Sequence, residues 1–373
     1  MDTQVIKLDP VKPDIKLIRY AAGLVDQGRL VAFPTETVYG LACRVKNDSI
    51  NELSSVKGRT PEKHYTVHIG LRTDVNKYVP RLGLRAAKLI DNFWPGPLTI
   101  VFDLEEEDLQ QQRLKFPKQV FDLLYKDNSI GLRCPDSATA SILLQLTNNP
   151  VVAPSANITG QEPAINAEQV LEQLNGKISA VLDTGPCKYQ KSSSVVKIGK
   201  TGLHVLRKGL YSDLQLHHKS TVQFLFVCTG NTCRSPMAEG LFKKYWAEKI
   251  GCNVDQLEQM GYKVLSVATL SMAGVPVSSE SVVACKKKGV DISQHRSQSL
   301  SEKLIEQSDL IFTMSGSHRD IILNICPDAG EKCFLLGGDK DVPDPIGKSQ
   351  SVYNECADTI ENYIKNIISE IVI

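Results

Sequence analysis

The segment Cys228-Thr229-Gly230-Asn231-Thr232-Cys233-Arg234-Ser235-Pro236 puts two thiols, a guanidinium and three hydroxyls within a few residues of each other. It follows an apolar, strand-like run and precedes a helical pattern, so successive backbone N–H groups turn inward and a helix N-terminus stands behind them. Gly230 and Asn231 are residue types that tolerate the positive φ such a loop needs, and Pro236 suits a first helical turn. A cradle of this kind binds an anion and favours a thiolate, which makes Cys228 the candidate nucleophile. Arg234 offers a planar fork for two phosphoryl oxygens, and Ser235 a hydroxyl for the sulfur. The chemistry this suits is phosphoryl transfer to sulfur, which also needs an acid for the leaving group. Asp344, in Asp341-Val342-Pro343-Asp344-Pro345-Ile346-Gly347, is the candidate. By itself that segment reads as an ordinary turn; beside the cysteine–arginine loop it supplies the missing proton.

A second set of residues lies in the first half of the chain. Phe33-Pro34-Thr35-Glu36-Thr37-Val38-Tyr39-Gly40-Leu41 ends a strand in a hydroxyl-rich turn, and Lys57-Gly58-Arg59 places two cations one residue apart, as a polyphosphate grip requires. Further on stand Trp94-Pro95-Gly96-Pro97-Leu98-Thr99, Gly131-Leu132-Arg133-Cys134-Pro135, Ala153-Pro154-Ser155-Ala156-Asn157, Ser192-Ser193-Ser194 and Leu206-Arg207-Lys208-Gly209. Each alone has a plain structural explanation: strand hydroxyls, a solvated helix end, a core tryptophan. Gly199-Lys200-Thr201 is not a Walker loop, because Ser194 stands where that motif requires glycine.

The elements that position these residues follow from periodicity. In the first half a helix over 17–27 leads to a strand over 30–33. Strand-like runs recur at 98–102, 129–133, 151–154 and 195–198, with helices such as 167–174 between them. In the second half strands at 222–227, 263–267 and 309–314 alternate with helices at 236–250, 279–288 and 317–326. The fold expected is α/β throughout: an open α/β domain over 1–210, a polar linker over 211–222, and a small doubly wound parallel sheet over 223–373. His217 and His218 in the linker have no further ligands nearby, so no metal site is expected there.

Composition agrees with two soluble domains in 373 residues, with 42% hydrophobic and 23% charged residues. No run is long enough to span a membrane and the amino terminus shows no export signal, so the expectation is a cytoplasmic protein. The net charge of +1 disfavours tight nucleic-acid binding. The ten cysteines are scattered, without the paired spacing of a zinc ribbon.

From residue 222 onward the cysteine–arginine loop and the late Asp-Pro resemble the low-molecular-weight protein tyrosine phosphatase family. The resemblance implies a phosphorylated protein substrate and no cofactor. It makes Cys228 the nucleophile, Arg234 the phosphate binder and Asp344 the general acid. Thr229, Gly230, Asn231, Thr232, Cys233 and Ser235 become the phosphate loop, braced by Asn231 and His295, and Cys233 a partner for Cys228 in a protective disulfide. The family's supporting serine falls, in this reading, on Val267, a departure that weakens the brace. Thr232, Ile346 and Gly347 are similar to the protein arginine phosphatase branch, which favours phosphoarginine over phosphotyrosine.

Residues 16–209 resemble the YrdC-like threonylcarbamoyl-AMP synthases, on the fragments above taken in order. That resemblance implies that L-threonine, bicarbonate and ATP, with magnesium on the nucleotide, give threonylcarbamoyl-adenylate and pyrophosphate. The product would feed threonylcarbamoyladenosine modification of tRNA with partner proteins. Lys57, Arg59, Lys63, Ser129, Ser155 and Arg207 would hold ATP; Thr37, His68, Arg133 and Ser193 would surround threonine, Arg133 pairing with its carboxylate. Lys63 replaces a family asparagine, and either grips phosphate or spoils the site. The rival expectation is a phosphotyrosine phosphatase joined to a non-catalytic nucleotide- or RNA-binding module.

Overall fold

A computed structural model describes residues 2–58, 64–200, 202–271 and 273–372. The chain divides into two units, Met1–Leu82 with Ala86–Lys219 and Ser220–Ile373 with Gly83–Arg85.

In the first unit the helix Ile15–Asp26 begins where the Asp14 carboxylate accepts the Lys16 N–H, and buries Ile18, Ala21, Ala22 and Val25 at helical spacing. It packs on a ten-stranded mixed sheet. The strand order is Gln4–Lys7, Ala180–Asp183, Val31–Phe33, Gly40–Arg44, Val151–Val152, Thr66–His68, Ser129–Arg133, Leu98–Asp103, Ser194–Gly199, Gly202–Arg207. Apolar clusters cover both faces, one around Leu41, Leu53 and Leu98 and the other around Ile18, Phe33 and Leu143. Register does the positioning: His68 pairs with Arg133, Arg133 with Thr99 and Thr99 with Val195, so one rung of the sheet carries all four. The short strands Gln4–Lys7, Gly40–Arg44, Thr66–His68, Ala180–Asp183 and Gly202–Arg207 were not marked by periodicity, several being too short to show one.

The second unit is a four-stranded, wholly parallel sheet in the order Tyr262–Ala268, Val222–Cys228, Leu310–Thr313, Cys333–Leu335. The central strand Val222–Cys228 is buried along its whole length. Its alternating side chains divide between the faces: Phe224 and Phe226 meet Phe242 and Trp246 of the helix Arg234–Ile250, while Leu225 and Val227 meet Val267 and Ile311. The C-terminal helix Gln350–Glu370 turns Tyr353, Ala357, Ile360, Ile364 and Ile368 inward.

The segment expected as a polar linker, 211–222, contains the helix Asp213–Ser220. Leu216 is fully buried in the first unit's core and Tyr211 packs on Phe93, so two apolar anchors order a stretch that looks polar in sequence. Among the described residues no helix is long and apolar enough to cross a membrane.

Candidate active sites

In the first unit the sheet rung opens onto a cavity of about 370 Å³. Lys57, Arg133 and Arg207 line it together with His68, Ser155 and Ser193, and no aspartate or glutamate is among the described lining residues. Lys57, the last residue of the helix Asn47–Lys57, donates its ammonium to the carbonyls of Ser155 (2.6 Å) and Asn157 (2.7 Å). Arg207 clasps Ser193, Nε to the carbonyl and Nη2 to the hydroxyl, both at 3.0 Å. A Cβ at Gly209 would lie 2.3 Å from the Ser194 nitrogen, so this close approach of the two segments requires glycine.

Arg133 is buried and has a carboxylate already. Its Nη2 donates to Glu36 Oε1 at 2.7 Å and to Thr37 Oγ1 at 2.6 Å, while Glu36 Oε2 accepts the Asp136 N–H at 3.0 Å. His68 donates from Nδ1 to the Thr66 carbonyl, which leaves Nε2 as the ring's acceptor. Burial, then the Arg133 charge, push His68 down to about 3, so the ring is neutral.

In the second unit two donors converge on the Cys228 sulfur. The Asn231 N–H lies 3.2 Å away and the Ser235 hydroxyl 3.0 Å. The Ser235 oxygen accepts from Asn231 Nδ2 at 2.9 Å, which turns its own hydrogen toward the thiol. Asn231 holds φ 52°, whereas Gly230 does not take up the positive φ that its type permits. The Asn231 amide is fixed from three sides: Nδ2 donates to Ser266 Oγ (2.8 Å), and Oδ1 accepts from the Gln298 N–H (2.8 Å) and His295 Nε2 (3.2 Å). Ser266 passes its hydrogen to Glu239 Oε2 at 2.6 Å. Arg234 donates from Nη1 to the Val342 carbonyl at 3.2 Å and from Nη2 to Asp344. Among the described residues no group of three His, Cys, Asp or Glu is placed to hold a metal ion.

Residues 23–209, half of the chain, match the Sua5/YciO/YrdC family, whose description is telomere recombination. The chain belongs to this family. Residues 223–372 match the low molecular weight phosphotyrosine protein phosphatase family, so a Sua5/YciO/YrdC domain comes first and a phosphatase-family domain second. The threonylcarbamoyl-AMP synthase of Pyrococcus abyssi is 32% identical over 193 residues, 52% of this chain, and the chain spans 54% of that relative's length. The crystal structure of P. abyssi Sua5 complexed with L-threonine is similar in fold, with a TM-score of 0.51 and 19% identity over 97% of this chain and 98% of that one. The YwlE arginine phosphatase from Geobacillus stearothermophilus is 32% identical over 40% of this chain and 92% of its own, with a TM-score of 0.35.

In the Sua5/YciO/YrdC domain the structure brings Lys57, Ser155, Arg207, His68, Arg133 and Ser193 to one cavity. Thr37 is fully buried behind it, on Arg133. Ser129, expected on ATP, is not among them. It pairs with Asp103 at the far end of its strand, about 13 Å from Arg133 at ordinary strand rise, and donates to the Lys126 carbonyl. Arg59 and Lys63 lie outside the described residues. Glu36 was missed; only its place between Thr35 and Thr37 hinted at it, and nothing in the sequence marks it as a counter-ion.

In the phosphatase-family domain Cys228, Thr229, Asn231, Ser235, Arg234, Asp344 and His295 converge. Cys233 is buried with its thiol free and 3.4 Å from the Tyr353 hydroxyl, and the Thr232 hydroxyl lies 3.7 Å from the same sulfur. The departure assigned to Val267 is corrected: Ser266 is the supporting serine, one residue earlier. Side chains alternate along the strand Tyr262–Ala268, so Ser266 faces the loop while Val267 joins the opposite apolar cluster. Glu239, Gln298 and His318 were also missed, each being a single polar residue without a motif.

Proposed function

We propose that the chain is bifunctional. The first unit condenses L-threonine, bicarbonate and ATP into threonylcarbamoyl-adenylate with release of pyrophosphate, for threonylcarbamoyladenosine formation on tRNA with partner proteins. The second hydrolyses a phosphorylated protein through a phosphocysteine on Cys228.

The observation that carries the synthase reading is the cavity in which Lys57, Arg133 and Arg207 stand among the described lining residues without a carboxylate among them. Such a wall suits a polyanion, and its chemistry is positioning and neutralisation of phosphate charge. Arg207, held on Ser193, presents its remaining N–H groups to the nucleotide phosphates, and Arg133, held by Glu36, stays fixed beside the threonine end with His68. No aspartate or glutamate is among the described lining residues, and magnesium is assigned here as the counter-ion that the nucleotide substrate carries.

The phosphatase reading rests on the sulfur and the fork sharing one loop. Cys228 attacks phosphorus, the bond to the leaving group breaks, and Asp344 protonates that group. Water, giving a proton to the Asp344 carboxylate, then attacks the phosphocysteine; the P–S bond breaks, inorganic phosphate leaves and the thiolate is restored, with Ser235 supporting the sulfur. A bound phosphoryl group takes Arg234 Nη2 from Asp344, which frees the carboxyl to turn toward the leaving atom. Thr232 and the aliphatic Ile346, two-thirds exposed beyond Asp344, favour a guanidinium leaving group over a stacked phenol, so phosphoarginine is the preferred substrate.

The test is pyrophosphate release from ATP by the whole chain, with and without L-threonine and bicarbonate, run beside phosphoarginine and phosphotyrosine hydrolysis. Release that depends on both co-substrates supports the synthase; release without them, or none, refutes it. Cys228→Ser is expected to abolish phosphatase turnover and leave pyrophosphate release unchanged. Faster hydrolysis of phosphotyrosine would refute the arginine preference alone.

A further inference from the structure

His318 ends a line of hydrogen bonds that starts at the phosphate fork. It stands in the first turn of the helix Gly316–Ile325 and is 4% exposed. Its Nδ1 lies 2.7 Å from Ser315 Oγ and its Nε2 2.8 Å from Thr229 Oγ1. Thr229 Oγ1 also accepts from Arg234 Nη2 at 3.4 Å. A guanidinium only donates, so the Thr229 hydroxyl takes that bond on a lone pair and has its own hydrogen to give away. A neutral ring that accepts this hydrogen on Nε2 carries its own hydrogen on Nδ1, pointing at Ser315. In that tautomer the line runs from Arg234 through Thr229 and His318 to Ser315, with the ring neutral. Burial, then the charge of Arg234, hold His318 in that form by pushing it down to about 4.

We infer that His318 is a positioning residue of the phosphatase centre, which fixes the Thr229 hydroxyl and through it the plane of the Arg234 fork. The inference rests on the phosphatase reading above. Arg234 Nη2 is shared between Asp344 and Thr229. Once a phosphoryl oxygen displaces Asp344, Thr229 and the Val342 carbonyl are, among the described residues, the acceptors left to hold the guanidinium in place. Thr229 holds its angle only while its hydrogen is committed to His318. A misoriented fork grips the trigonal transition state less well than the ground state, so the effect falls on kcat more than on KM.

The test uses the whole chain with p-nitrophenyl phosphate as the probe. A Gln carboxamide reaches the Nε2 position and an Asn carboxamide only the Nδ1 position, so His318→Gln keeps the bond to Thr229 and His318→Asn loses it. His318→Asn is expected to lower kcat roughly tenfold with KM nearly unchanged, the scale of one lost hydrogen bond to an oriented group, and His318→Gln to recover most of that loss. Thr229→Val is expected to match His318→Asn, and the double variant to be no slower than either, because both remove the same link. Equal activity of the Gln and Asn variants, or losses that multiply in the double variant, would overturn the inference; Thr229→Val decides it should the His318 variants fail to fold. Absence of Cys228-dependent hydrolysis in the wild type would instead overturn the phosphatase reading on which it stands.

Discussion

Replacing Asn231 by Ala and by Gly separates two contributions to the shape of the phosphate loop. The side chain makes four hydrogen bonds, to Ser235, Ser266, Gln298 and His295. At about 1 kcal/mol net for each buried bond, their loss costs about 4 kcal/mol, less whatever water recovers. The backbone is a separate matter: at φ 52° a Cβ crowds the following carbonyl at about 1–2 kcal/mol, a cost that alanine keeps and the wild-type asparagine already bears. Glycine loses the same four bonds without that crowding. Asn231→Ala is therefore expected to destabilise the second unit by about 4 kcal/mol and Asn231→Gly by about 1–2 kcal/mol less. The assay is amide hydrogen exchange of the central strand Val222–Cys228 in the whole chain, since those buried amides exchange only when the unit opens. Equal losses in the two variants would refute the backbone argument. A loss below about 1 kcal/mol in both would show that the asparagine bonds do not carry the loop.

Glu36→Gln keeps the shape of the cavity wall but strips the buried Arg133 of its counter-charge, and is expected to cost the first unit about 3–5 kcal/mol, read as faster amide exchange in the strand Ser129–Arg133. Arg207→Lys replaces a fork on Ser193 by a single ammonium that cannot hold both acceptors and a phosphate; the KM for ATP in pyrophosphate release is expected to rise about tenfold, and an unchanged KM would remove Arg207 from the nucleotide site. His68 gives the first unit a pH dependence. Its folded value of about 3 lies below the ordinary 6.5, so the unfolded chain takes up a proton that the folded one refuses. The stability it contributes is complete above pH 6.5 and is lost as the pH falls toward 3, at up to about 1.4 kcal/mol per pH unit. Urea unfolding at stepped pH should show that slope in the wild type and not in His68→Gln; equal slopes would mean that the ring is charged in the fold.

What the sequence revealed depended on whether a function was carried by neighbours in the chain or by neighbours in space. The phosphate loop was legible because Cys228 to Pro236 is contiguous, and its chemistry follows from strand, loop and helix start alone. Its brace was not: Ser266, Glu239 and Gln298 are isolated residues that only the parallel register and the crossovers bring to Asn231. Val267 was taken for the supporting position because a one-residue error in a strand exchanges its two faces. In the first unit the order of short motifs pointed to one cavity, and the rung His68–Arg133–Thr99 explains why they meet. Ser129 shares a strand with Arg133, yet sits at its other end. The helix Asp213–Ser220 was hidden because one buried leucine, Leu216, gives no periodicity.

The brace on Asn231 has a consequence for the order of events on the ribosome. Cys228 and its loop leave the exit tunnel well before Ser266, His295 and Gln298, which arrive tens of residues later. Until residue 298 is out, the loop lacks at least one of the three segments that fix its amide, and the cradle around the nucleophile is incomplete. An unfinished chain therefore carries an ordinary cysteine, and the assembled loop arrives with tertiary structure rather than with its own sequence. A thiol-specific phosphate mimic applied to stalled chains of increasing length would date the moment at which this stretch of backbone becomes a site.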